Sequence, residues 1–220
     1  PKHMFKKLTC LFATLFLGLA QAHADEGMWF LMLMQQQHLA DSLRKAGLQL
    51  PPESLYSETG SSLRECVGIF GGGCTGEVVS ADGLVLTNHH CGFSYVHEMS
   101  SLEHDYMKEG YFAHSRAEEL PTPSSLTFTF IIGIEDVTEQ IRKEGAKQKK
   151  DIYTMQSQRF LEPIAKNFLK KGKYKKAKGV TAEIYPFYAA NRFYLFYKQT
   201  YLDVRLVATP PNNVGQFGGN

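Results

Sequence analysis

Nothing in the 220 residues stays apolar for long enough to cross a bilayer. The most apolar run, Leu8 to Ala20, has 13 residues, where a spanning helix needs about 20. An excess of one charge is missing too, since 24 lysines and arginines face 22 aspartates and glutamates. Residues 1–24 contain Lys2, Lys6 and Lys7 and no acid, so without them 21 basic residues face 22 acidic ones, a formal charge of −1. Such a balance offers no field for a nucleic-acid partner. The sequence has no internal repeat and no low-complexity tract, which excludes a repeat architecture. Cysteine is sparse, at positions 10, 66, 74 and 91. Apolar residues are not: at 43%, with 15 phenylalanines, they are ample for a globular core. The length after Ala24 fits one domain, or one and a piece of another.

What is present begins with the features of a secretory signal. Met4 reads as the initiator, with Pro1-Lys2-His3 read through from upstream. Lys6 and Lys7 form the positive region and Leu8 to Ala20 the apolar one. Ala22-His23-Ala24 then puts small residues at the cleavage positions. An anchored or buried helix is the alternative, but charge, length and cleavage site together favour a signal over residues 1–24. Cys10 precedes most of the apolar run, which speaks against a lipoprotein. With the signal removed, no membrane anchor is expected. Export to an oxidising compartment allows one disulfide among Cys66, Cys74 and Cys91 and leaves one thiol over.

After the signal, "DEGMWFLMLMQQQHLADSLRKAGLQL" reads as a helix with a stop at Gly47, before Pro51-Pro52. "TGEVVS" and "LVLTNH" are short, β-branched and joined by "ADG", which predicts a hairpin. "SSLEHDYMKEG" predicts a short helix capped by Ser100 or Ser101, with Glu103 as capping-box partner. "SLTFTFIIGIEDV" alternates as a strand does. Glu139 to Lys171 is lysine-rich and helical, with interruptions expected at Gly145 and Pro163. Its basic end, "KKGKYKKAKG", is read as a solvated helix end and loop rather than an anion site. "TAEIYPFY" and "RFYLFYKQTYLDVRLVATPP" return to strands. Strands on either side of one helical stretch, with no βαβ alternation, predict a mainly β fold: an antiparallel barrel with helical insertions.

The chemistry concentrates in "GGGCTGEVVSADGLVLTNHHCG", residues 71–92. Three readings compete. His89, His90, Cys91, His97 and His104 supply zinc-type ligands, but neither zinc-finger nor His-Glu-x-x-His spacing occurs. Adjacent histidines on a strand would also point to opposite faces, so His89 and His90 could not share an ion. A structural reading makes them hydrogen-bonded histidines beside a stapled hairpin. The third reading is a general base, because histidine titrates near neutrality and a serine hydroxyl needs a base to become a nucleophile.

The third reading gains from a resemblance. In chymotrypsin-like enzymes the base histidine ends a strand directly before a cysteine, in a "TAAHC" context, and "TNHHC" is similar at Thr87, His90 and Cys91. Cys74 stands where the partner of that cysteine belongs, which implies a Cys74–Cys91 disulfide with Cys66 left free. His90 is then the base and His89 faces away. More widely, "DEGMW", "GGGCTGEVVSADGLVLTNHHCG", "SSLEHDY", "EELPTP", "IEDVT" and "YLDVRLVATPP" occur in the order of their counterparts in one family. From about Asp25 to Asn220 the chain resembles the bacterial dipeptidyl-peptidases related to dipeptidyl-peptidases seven and eleven.

That resemblance implies an exported serine exopeptidase, periplasmic or extracellular, with a chymotrypsin-like double β-barrel bisected by a helical domain. Residues 25–220 would be the N-terminal part of its catalytic domain, containing the first barrel. Its substrates would be peptides with a free N-terminus, released as dipeptides by His-Asp-Ser acyl transfer. No metal or organic cofactor is implied, and a homodimer of the full-length enzyme is a further expectation. The family's aspartate follows soon after "GQFGG" and its serine much later, so this sequence carries His90 alone of the three. No "GNSGSP" or "GDSGG" motif occurs, and Ser61-Ser62, Ser100-Ser101 and Ser124-Ser125 lack flanking glycines. Asp203 reads as structural, since the family's acid comes later. The alternative is a non-catalytic exported β-domain, or a binding module on a protease-like scaffold.

Signal peptidase is expected to cut after Ala24. N-terminal sequencing of exported protein should begin at Asp25, and a mature chain that still carried Lys6-Lys7 would overturn the assignment.

Overall fold

The computed structural model describes residues 30–34, 39–57 and 60–216. The expected signal segment, its expected cleavage site and the start of the first expected helix lie outside them. The chain divides into two compact units, residues 1–52 and 53–220. Described parts of the first unit are a 3-10 turn at Leu31–Leu33 and helix α1, Leu39–Lys45. Asp41 in the first turn of α1 and Arg44 and Lys45 in the last complement the helix dipole. Gly47, at φ +106°, ends it as expected, its N–H donating to the Arg44 carbonyl at 3.0 Å. A one-turn helix α2, Pro52–Leu55, opens on proline, whose missing N–H costs nothing in a first turn.

Strands β1 (Val67–Phe70), β2 (Cys74–Val78) and β3 (Val85–Thr87) form an antiparallel meander in the second unit. The β2–β3 hairpin is the one read from the sequence. Ser80 ties its turn, accepting at Oγ from the Leu84 N–H at 3.0 Å. Helices α3 (His89–Met99) and α4 (Tyr106–Glu109) follow, then two-residue strands β4 (Tyr111–Phe112) and β5 (Leu120–Pro121). The cap of α4 is Asp105, which accepts from the Lys108 N–H at 3.1 Å; Ser101 instead closes a turn by accepting from the His104 N–H. Ser100 donates back to the Val96 carbonyl at the end of α3.

The long strand is β6, Phe128–Asp136, with a bulge between Ile131 and Gly133. The lysine-rich stretch forms α5 (Thr138–Lys147), α6 (Ile152–Met155) and α7 (Gln158–Lys171). Its breaks fall at new caps rather than at Gly145 or Pro163. Asp151 accepts from the Thr154 N–H at 2.7 Å and Ser157 from the Phe160 N–H at 3.4 Å. Gly145 stays helical because Met155 packs on it: a Cβ there would lie 2.0 Å from the Met155 sulfur. Pro163 sits within α7 on its exposed side. The basic end, with Lys173, Lys175, Lys176 and Lys178, is exposed, as a solvated loop should be.

Strands β7 (Val180–Phe187) and β8 (Arg192–Tyr201) pair in an antiparallel hairpin. They complete a six-stranded antiparallel sheet of order β3-β2-β1-β6-β8-β7. The last elements are β9 (Arg205–Leu206), which pairs with β5, β10 (Ala208–Thr209), which pairs with β4, and α8 (Asn212–Gly215). The sequence led us to expect a barrel; the described strands form an open sheet, with β3 and β7 as its edges. One cause is local. β3 ends at Thr87 because the chain turns into α3, and β7 carries Pro186, which has no N–H to offer a neighbour.

One face of β7–β8 presents Ile184, Phe193, Leu195 and Tyr197, which pack against Val137 and Ile141 of the α5 segment and Phe160, Leu161 and Ala165 of α7. Each fully buried large apolar side chain here contributes about 1.5–3 kcal/mol. Burial also pushes the Tyr197 phenol up to about 12. A smaller core of Phe70, Leu126, Phe128 and Cys91 lies at the β1 end and attaches α3 to the sheet.

On the other face of β7–β8, Lys198 donates to Glu183 at 2.7 Å and to the Tyr185 hydroxyl at 2.8 Å, and Tyr185 donates to Glu183. Burial works against the Glu183 carboxylate, but the Lys198 and Tyr185 hydrogen bonds outweigh it and hold the group below its usual range. Burial likewise opposes the Lys198 charge and is outweighed by Glu183 and Tyr185, which raise it. A lowered carboxyl stabilises the fold above its unfolded value and loses that contribution as pH falls through the folded one. Urea unfolding should therefore show stability falling on acidification below about pH 4, with a shallower fall in Glu183→Gln. Equal slopes in the two proteins would show that this cluster does not contribute.

Candidate functional site

Thr87, the last residue of β3, pairs with Gly76 of β2 and donates from Oγ1 to the Thr75 carbonyl at 2.8 Å. The next residue, Asn88, is still extended (φ −70°, ψ 146°) and caps α3, and its carbonyl accepts from the Cys91 N–H at 3.0 Å. The two histidines thus open a helix and do not sit on a strand. This corrects the expectation that they face opposite ways. Successive helical side chains diverge by about 100°, not 180°, so both leave the same turn. His90 is exposed and His89 half-buried.

Cys91 turns inward and is bridged to Cys74 at the start of β2, with Cα atoms 6.0 Å apart, while Cys66 is a free, exposed thiol. Tyr95, one turn further along α3, meets Phe70 of β1 edge-on at 6.1 Å. Cys91 and Tyr95 thereby seat one side of the helix on the sheet. His90 Nε2 lies 3.4 Å from the Cys91 sulfur. His89 makes different contacts: its Nε2 is 3.0 Å from Asn212 Oδ1 on α8, and its ring meets Phe93 edge-on at 6.0 Å. No sequence pattern pointed to the Asn212 contact.

The five-ligand metal reading does not survive this arrangement. His97 stacks on Phe93 and His104 on Tyr106, away from a common centre with the other histidines. Cys74, His90 and Cys91 do offer ligand atoms within 4.8 Å of one another. Both sulfurs are in the disulfide, however, and zinc is bound by thiolate. Asp203 is held by Arg205 through two parallel hydrogen bonds of 3.0 Å, and Arg205 lowers its carboxyl. Among the described residues, neither a serine hydroxyl nor a carboxylate hydrogen-bonds the His90 ring.

The bridge closes a loop with a sequence separation of 17, for which chain entropy gives about 3 kcal/mol. Replacing Cys74 and Cys91 together by serine should lower stability by about that much. Non-reducing peptide mapping should find these two residues linked and Cys66 open to alkylation; a bridge to Cys66 would refute the assignment.

A structure of Porphyromonas endodontalis DPP11 in complex with the dipeptide Arg-Glu superposes with a TM-score of 0.80 at 40% identity, over 89% of this chain and 28% of that one. Dipeptidyl-peptidase 7 of Phocaeicola vulgatus is 47% identical over 212 residues, 95% of this chain. An Asp/Glu-specific dipeptidyl-peptidase of Porphyromonas gingivalis is 42% identical over 96% of it. The chain spans 29% of the length of each of these two relatives. The family model described as Peptidase S46 matches residues 24–220. A match over nearly the whole sequence shows that the chain belongs to the Peptidase S46 family.

Proposed function

We propose that this chain forms part of a serine-type dipeptidyl-peptidase and that His90 is its general base. The observation that carries the proposal is the setting of His90. Its ring is exposed at the start of a helix whose first turn is bridged to the sheet, in a chain 40% identical to a DPP11 seen with a dipeptide. An exposed imidazole on a fixed backbone can approach a substrate-bound serine. Its neutral form takes the hydroxyl proton during attack on the peptide carbonyl and then returns it to the leaving amine.

An orienting carboxylate and the serine complete that chemistry. By the family resemblance both would lie beyond residue 220, the acid soon after "GQFGG" and the serine much later. Substrates would be peptides with a free N-terminus, cut two residues in, in the periplasm or outside the cell. No cofactor enters the scheme.

The 220-residue chain is expected to hydrolyse no dipeptidyl substrate by itself, because one triad member of three does not make an acyl-transfer site. In the full-length enzyme, His90→Ala should lower kcat by about 10⁴–10⁶-fold, and a chelator should change nothing. Full activity in His90→Ala would reject the base assignment. Loss to a chelator with recovery on adding zinc would replace it with a metal mechanism.

A further inference from the structure

His89 is the neighbour of the proposed base and is engaged quite differently. Its Nε2 meets Asn212 Oδ1 at 3.0 Å, across a sequence separation of 123. One turn later on the same short helix, Gly215 lies flat against the imidazole. A Cβ built there would fall 2.3 Å from Nδ1, 2.5 Å from Cε1 and 2.6 Å from Cγ of His89. No side chain fits in that space. The Gly215 N–H donates to the Pro211 carbonyl at 3.0 Å, so the turn that carries Asn212 and Gly215 is itself closed. On another side the ring meets Phe93, which stacks on His97. The His89 imidazole is thus held by a hydrogen bond, a backbone surface and an aromatic edge.

The segment that supplies two of these contacts is fixed before it arrives. β9 pairs with β5 and β10 with β4, and α8 follows two residues after β10. The far end of that path closes on His89. The first turn of α3 is therefore held at two points: Cys91 to the sheet, and His89 to α8. His90 lies between them, exposed to solvent, with its Nε2 3.4 Å from the Cys91 sulfur.

We propose that His89 is a positioning residue for His90, clasping the first turn of α3 to α8 so that the His90 ring leaves the helix in one fixed direction. The proposal rests on the reading of His90 as the base. A histidine suits the task because its flat ring can lie against a glycine backbone while Nε2–H donates to an amide oxygen. If the clasp slips, α3 remains tied to the sheet through Cys91, and the fold survives. What changes is the direction of His90, and a misplacement of about 1 Å can cost on the order of 100-fold in rate.

The test uses the full-length enzyme, with kcat and KM measured separately and thermal melting as control. Gly215→Ala, which drives a methyl group into the ring, should lower kcat by about 10–100-fold with KM and melting temperature little changed. Asn212→Leu removes the acceptor without crowding the ring and should show the same kcat-selective loss. Asn212→Asp, which restores an acceptor, should recover most of it. In a His89→Ala background, Gly215→Ala should cost nothing further, because the ring it strikes is gone. If His90→Ala abolishes turnover while Asn212→Leu and Gly215→Ala keep wild-type kcat, the positioning role is wrong and the base assignment stands. If His90→Ala keeps its turnover, the base assignment fails and the positioning role fails with it. Losses that follow melting temperature instead of kcat would reduce His89 to a packing residue.

Discussion

The covalent tie between Cys74 and Cys91 fastens a helix at its first turn. Asn88 must leave β3 and reverse into α3 within one residue, and Cys91 lies in the first turn after that reversal. A hairpin strand that turns straight into a helix has nothing intrinsic to hold the junction. The bridge supplies it, joining the first turn of α3 to the strand next to the one it has just left. The small core around Phe70, Leu126 and Phe128 then closes over the sulfurs. From that point the helix has one face committed to the sheet, and His89 and His90 inherit directions they could not hold on a free chain.

The larger core serves a different end. Helix α7 presses on the β7–β8 hairpin through Leu161 and Ala165, one turn apart on the same side, and buries that half of the sheet. Neither histidine touches it. The sheet transmits its rigidity instead through β6, which pairs with β8 on one side and β1 on the other. Strand pairing thus links a hydrophobic mass at one end to a covalent staple at the other. The stretch from Arg205 to Gly215 is joined to strands β4 and β5 by two short ladders.

Elements whose signal is periodic were legible in the sequence: the β2–β3 hairpin, β6, β7, β8 and the helices between Thr138 and Lys171. Their boundaries were less so, because caps such as Asp151 and Ser157 decide them and an apolar pattern does not show which polar residue will cap. Helix α3 was not legible. "HHCGFSYVHEM" has a glycine, three histidines and a valine, none of them a strong helix former, and tertiary contacts through Cys91, Tyr95 and Val96 override that preference. That one omission put the two histidines on a strand and gave them opposite faces. Strand β1 was missed because four residues beside three glycines leave no alternation to read. The Asn212 contact had no local signal, as its partners are far apart in sequence and neither residue is unusual where it stands.

The distance along the chain between those partners sets a clock. Residue 212 is made 123 residues after His89, and at roughly 5–20 residues per second a ribosome takes on the order of 6–25 s to cover that stretch. The sulfur bridge draws on a cysteine made before the helix it anchors, while the clasp on His89 must wait for a segment made long after it. In order of appearance along the chain, the partner for the first fastening of this helical turn therefore comes long before the partner for the second. Until residue 212 is available, His89 lacks the partner that makes its second support.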